Sequence, residues 1–94
     1  MYENTFTNNK EEQCFELYVD GQRSFIAYQM EENKAYLSHT EVPAAQSGAG
    51  IAAQLVKQTF EYLEEHNLKV VPACSYVGAY LKRHPEWERL VSKD

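Results

Sequence analysis

Gly48 and Gly50 stand in the small-residue stretch Ala44-Ala-Gln-Ser-Gly-Ala-Gly50, just ahead of a long run with an apolar stripe. Glycines at the mouth of a helix leave backbone N–H groups uncovered, and those donors together with the helix dipole attract phosphate. A lone Gly-x-Gly is a weak signal, and the pair could equally make a tight turn and nothing more. His39 and Glu41 are the next residues able to do chemistry. Their spacing of two puts both on one face of a strand, and an imidazole titrates near neutral pH without a large perturbation, which suits a general base. Cys74 offers a thiol that, from the end of a neighbouring strand, could face His39 as a Cys-His nucleophile. The plainer alternatives are a hydrogen-bonded structural histidine and an inert buried cysteine.

A frame of strands and helices must position these groups. Cys14 to Val19 is aromatic and branched and ends at Asp20-Gly21, a hairpin signal, and the segment from Arg23 to Met30 reads as the antiparallel partner. The polar group Glu31-Glu32-Asn33-Lys34 predicts another tight turn, followed by a third strand from Ala35 to Val42 that Pro43 ends. Strict alternation in that strand puts Leu37, His39 and Glu41 on one face and Tyr36, Ser38, Thr40 and Val42 on the other. Ile51, Leu55, Phe60 and Leu63 then trace a helical stripe over Ile51 to His66, with Asn67 as its stop. Leu68 to Ala73 suits a short buried strand, and Ser75 could cap a last helix running to about Arg83, before His84-Pro85. Strand, helix, strand in succession predicts a parallel pair whose C-terminal ends, near Glu41 and Cys74, open on the side where α/β sheets bind ligands. The fold expected is α/β in the α+β sense: a three-stranded antiparallel meander followed by a β-α-β-α unit, as one domain over residues 1–94 with residues 1–11 as a flexible lead.

Composition narrows the partners. The 94 residues carry a formal net charge of −5, which argues against a nucleic-acid footprint. No apolar run approaches a bilayer span and the start lacks a signal-peptide pattern, so a cytoplasmic monomer that does not engage membranes is expected. Cys14 and Cys74 have neither a CxxC spacing nor a neighbouring His pair, so no metal site and no disulfide framework is indicated. The loop is not a P-loop, because Ile51-Ala52 stands where Lys-Ser/Thr is required, and three antiparallel strands ahead of it are not a dinucleotide-binding unit.

Three blocks, His39-Thr-Glu-Val-Pro43, Gly48-Ala-Gly-Ile-Ala52, and Val71-Pro-Ala-Cys-Ser-Tyr76 through His84-Pro-Glu-Trp87, carry a resemblance. The chain resembles the GNAT superfamily of N-acetyltransferases, in its very short single-domain branch. The resemblance implies that acetyl-coenzyme A is the cofactor, with its pyrophosphate held by amides of the run Ser47, Gly48, Ala49, Gly50, Ile51 and Ala52. Gly50 and Ala52 fit the family's turn motif. The motif's Gln/Arg position falls on Ser47, with Gln46 one place early. The resemblance further implies that the strand ending at Val42 bonds the pantetheine arm, which passes between it and the strand ending at Cys74, beside Tyr76. His39 or Glu41 would be the base, Cys74 a possible acetyl carrier, and Tyr80, or failing that Tyr76, the acid for the departing thiolate. Lys82 and Arg83 could neutralise cofactor phosphates. The amine acceptor, a small molecule or a protein lysine, is unidentified. The two helices that would build its pocket are replaced by the Asp20-Gly21 turn, so the alternatives are a noncatalytic acyl-coenzyme A binding module or an interaction domain.

Overall fold

The computed structural model describes residues 4–46 and 48–93. Its sheet is built on tight turns. At Asp20-Gly21 both residues have positive φ, 53° and 76°, as a two-residue hairpin whose twist matches its strands requires. That turn joins β2 (Cys14–Val19) to β3 (Gln22–Glu31), and a second turn, with Glu32 at φ 57°, joins β3 to β4 (Lys34–Glu41). Both turns fall where the sequence predicts them. Residues 5–9, expected to belong to a flexible lead, form a further strand, β1 (Thr5–Asn9), antiparallel to β2. Polar Thr and Asn residues hid it, but Phe6 anchors it by packing on Phe15. The meander thus has four strands rather than three.

From β4 the chain passes through one 3-10 turn at Ala44–Gln46 into α1 (Ile51–Glu65), then β5 (Lys69–Pro72) and α2 (Ser75–Arg83). The strand order is β1-β2-β3-β4-β5, with β5 parallel to β4, as the helical crossover demands. The C-terminal stretch turns through a second 3-10 segment, Pro85–Leu90, and Val91 bridges Val70. The core lies between one sheet face and α1: Phe15, Leu17, Ile26 and Leu37 meet Leu55, Val56, Phe60 and Leu63, all essentially inaccessible. Phe60 carries the layer on to α2 and its sequel by edge contacts with Tyr80 and Trp87.

One irregularity decides which way the candidate site faces. Ala27 pairs with His39 and Tyr28 with Leu37, so Ser38 is an extra residue, a β-bulge. Its hydroxyl donates to the Ala27 carbonyl at 3.3 Å. The bulge corrects the expected alternation: Leu37 points into the core, whereas His39 and Glu41 point to the opposite face, and Thr40 joins Leu37's side opposite Ile26. Regular alternation from Leu37 would drive an imidazole and a carboxylate under α1, where burying them unpaired is costly. The bulge avoids that.

Candidate functional site

The parallel pairing of β4 with β5 ends at Leu37 opposite Pro72. Beyond it the strands part. Ser38 to Glu41 runs on without β5, and Thr40 Oγ1 reaches across the gap to Cys74 Sγ at 3.3 Å. Cys74 is the N-cap of α2. Burial, the largest influence on its thiol, pushes the pKa up, but the Thr40 hydroxyl and the backbone N–H groups of Val77, Tyr76 and Thr40 outweigh it, and the thiol sits below its ordinary value. Thr40 was not singled out in the sequence, because only the bulge brings it to the thiol.

Beside this gap the Gly48–Gly50 turn opens a groove of about 300 Å³, lined by Val42, Gln46, Gly48, Gly50, Ile51, Ala52, Ala53 and Tyr76. Gly48 and Gly50 have φ 84° and 78°, the left-handed region that glycine enters freely. Gly50 is the N-cap of α1, and no side chain caps that helix end. The first turn carries no acidic residue either. The N–H groups of Ile51, Ala52 and Ala53 have no carbonyl within their own helix, so the groove floor offers donors and a partial positive charge.

The fit of the expected anionic cofactor can be judged on two further features. A Cβ built on Gly48 or Gly50 would meet nothing within 4 Å, so the glycines leave open space against the backbone. Gln46, 9% exposed, turns its amide inward and donates from Nε2 to the Val19 carbonyl at 2.8 Å, while Oε1 has no partner among the described residues. Gln46 therefore ties the loop to the sheet and keeps one buried acceptor unpartnered among the described residues. Open amides beside glycines with free space over them suit a phosphate-bearing ligand such as coenzyme A.

Of the residues expected to hold that ligand, Val42, Gly48, Gly50, Ile51, Ala52 and Tyr76 line the one groove. Ala49 does not, and its N–H donates to the Gln46 carbonyl at 3.2 Å within the turn. Ser47 lies outside the described residues. His39 and Glu41 come together, Nε2 to Oε2 at 3.7 Å, with side chains 58% and 63% exposed. The structure does not bring Cys74 to His39: the thiol meets Thr40 on the core side, and His39 lies on the other face. Tyr80, expected as an acid, is packed on Phe60 and stacked on His84, with burial pushing its phenol up. Tyr76, a turn earlier on α2, is the tyrosine at the groove. Lys82 and Arg83 close the last turn of α2, away from the groove at its first turn.

Comparison with known proteins gives the family and the fold. Residues 14–90 match the GCN5-related N-acetyl-transferase family. Protein NATD1 of Gallus gallus is 43% identical over 49 residues, 52% of this chain and 44% of the relative. NATD1 of Danio rerio is 30% identical over 81 residues, 83% of this chain and 74% of the relative. The match thus spans less than half the length of the chicken relative. A solution NMR structure of a GCN5-like protein from Staphylococcus aureus superposes with a TM-score of 0.69 at 21% identity, covering 98% of this chain and 91% of the other, a likeness of fold.

Proposed function

Since the chain belongs to the GCN5-related N-acetyltransferase family, we propose that it binds acetyl-coenzyme A in the Gly48–Ala52 groove and transfers the acetyl group to an amine. The observation that carries this reading is the coincidence of an uncapped, glycine-opened helix start with the parted ends of β4 and β5. Acetyl-coenzyme A supplies an activated thioester. The amides of Gly50, Ile51 and Ala52 hold its phosphates, and the edge of β4 up to Val42 orients the arm that leads to the gap.

His39 and Glu41 then act on the face beyond the gap. The Glu41 carboxylate draws a cationic amine toward it, and His39 Nε2 takes a proton from the amine so that nitrogen can attack the acyl carbon. Tyr76 holds a phenolic proton near the groove for the departing thiolate. Cys74 instead supplies a lowered-pKa thiol within the gap, bonded to Thr40, and an acetylated thiol is the rival route. The protein engages neither nucleic acid nor membrane in this reading and acts as a cytoplasmic monomer; among the described residues no helix is long and apolar enough to cross a membrane.

Titration of labelled protein with acetyl-coenzyme A tests the reading. Saturable amide shifts at Gly48, Gly50, Ile51, Ala52 and Val42 are expected, with release of free coenzyme A on adding a panel of primary amines. Saturation without turnover would leave a noncatalytic acyl-coenzyme A binding module, which the exposure of His39 and Glu41 favours. No shift at millimolar cofactor would sink both. Retention of an acetyl mass by the wild type, lost in Cys74→Ala, would favour the thiol route.

A further inference from the structure

A larger cavity than the groove lies elsewhere among the described residues. At the other end of α1, roughly 20 Å away by the rise of 15 helical residues, a pocket of about 450 Å³ opens between the β1–β2 turn, the end of β3 and the last turn of the helix. Cavities of this size hold small molecules. Its walls are aromatic: Phe15 stacks on Tyr28 at 4.5 Å and meets Tyr62 edge-on at 5.3 Å, and Tyr62 stacks on His66 at 4.0 Å. Met30, at its rim, is one of only two large hydrophobic residues left exposed among those described.

The polar groups in this pocket have a definite remainder. Tyr28 donates its hydroxyl to Asn8 Oδ1 at 2.6 Å, and Asn8 Nδ2 donates to the Tyr62 oxygen at 3.1 Å. Tyr28 and Asn8 are thereby satisfied, while Tyr62 has accepted and still has its own O–H to give. His66 Nδ1 lies 2.8 Å from the Tyr62 carbonyl, which can only accept, so Nδ1 carries the proton and Nε2 of the neutral ring is left as an acceptor. Lys10 lines the same pocket, and its ammonium has no ion-pair partner among the described residues. An uncommitted hydroxyl donor and an uncommitted cation at an aromatic-walled cavity ask for an anion on a flat apolar body. Those are strong donors to a carboxylate, and they stand in a chain whose overall charge is negative.

We infer that this pocket is a second ligand site, separate from the acyl-transfer groove, for a small aromatic carboxylate whose ring lies against the Tyr62 and Met30 side of the aromatic wall and whose carboxylate meets Lys10 and Tyr62. The inference does not rest on the acetyltransferase reading. A ring hydroxyl on the ligand has an acceptor in His66 Nε2, so a hydroxybenzoate is expected to bind more tightly than benzoate.

Titration of the labelled full chain with benzoate, 4-hydroxybenzoate and benzylamine tests it. Benzoate should shift the amides of Lys10, Gln13, Met30 and Leu68 saturably and leave Gly48 to Ala52 unmoved, and benzylamine should not bind. Lys10→Met, on an exposed turn, should weaken benzoate about tenfold or more, and Tyr62→Phe severalfold. The amide spectrum of each variant without ligand establishes that it is folded. No saturable shift by about 10 mM benzoate, the weak limit for a ligand of this size, would overturn the inference. So would benzylamine binding as well as benzoate, or Lys10→Met binding like the wild type.

Discussion

The two ends of α1 are built on opposite plans. At its start the sheet comes apart: β4 and β5 cease to pair after Leu37 and Pro72, a bulge turns His39 and Glu41 outward, and two left-handed glycines leave amides bare. At its finish side chains rather than bare backbone line the opening, with Asn8 bonding both Tyr28 and Tyr62 and ring contacts running from Tyr28 through Phe15 and Tyr62 to His66. The cysteines repeat the contrast. Cys14, next to the pocket at the start of β2, is pushed up by burial, with Arg23 partly opposing, whereas Cys74 at the gap is brought down by hydrogen bonds that outweigh its burial. A small fold can leave backbone donors and a thiol available at one end because side-chain packing holds the other.

The sharpest way to break this comparison is at His39. If it is the base, His39→Ala should lower turnover on the order of 100-fold or more with acetyl-coenzyme A affinity unchanged, as steady-state kinetics beside calorimetry would show. An unchanged rate would make the open face a surface only. Gly50→Val follows. A β-branched residue at φ 78° is strained and its side chain would stand over the bare amides, so cofactor affinity should fall on the order of 100-fold. A loss confined to stability would mean that the glycine serves the turn alone.

The cysteines sharpen the comparison at smaller amplitude. Because the thiolate is the reactive form, the direction of each shift predicts that Cys74 is alkylated by iodoacetamide at a lower pH than Cys14, about tenfold faster near neutrality. Thr40→Val removes one of the bonds to Cys74 and should move its pH profile upward, while leaving that of Cys14 in place. Equal profiles for the two thiols would remove the electrostatic half of the contrast. The smallest effect is expected at the aromatic end, where Asn8→Ala leaves the Tyr28 hydroxyl without its acceptor and should cost about 1 kcal/mol in denaturant unfolding, with cofactor binding untouched.

Much of the frame was legible because it rests on local rules. Asp20-Gly21 demanded a two-residue hairpin, the stripe Ile51, Leu55, Phe60 and Leu63 demanded a helix, and Pro85 lies just beyond the end of α2. The glycine turn with bare amides at a helix start was legible for the same reason: φ freedom and uncovered N–H groups are properties of residues and their neighbours. β1 was not legible, since five polar-rich residues become a strand only when β2 offers its edge and Phe15 offers a ring to Phe6. The site's orientation was not legible either. No residue type announces the bulge at Ser38, and strict alternation placed His39 beside Leu37 and within reach of Cys74.

By itself, then, the sequence determined the two hairpin turns after β2 and β3, the two helices, the order of the elements after β1 and the glycine turn ahead of α1, because each follows from torsional freedom or from a period of apolar residues. The tertiary structure alone decided which face His39 and Glu41 take, that Thr40 rather than His39 meets the Cys74 thiol, that Tyr76 and not Tyr80 reaches the groove, and that a second, aromatic pocket exists. Those outcomes depend on how α1 and β4 share one core. Burying Leu37 while keeping an imidazole and a carboxylate in water admits a bulge, and no local window of sequence contains both demands.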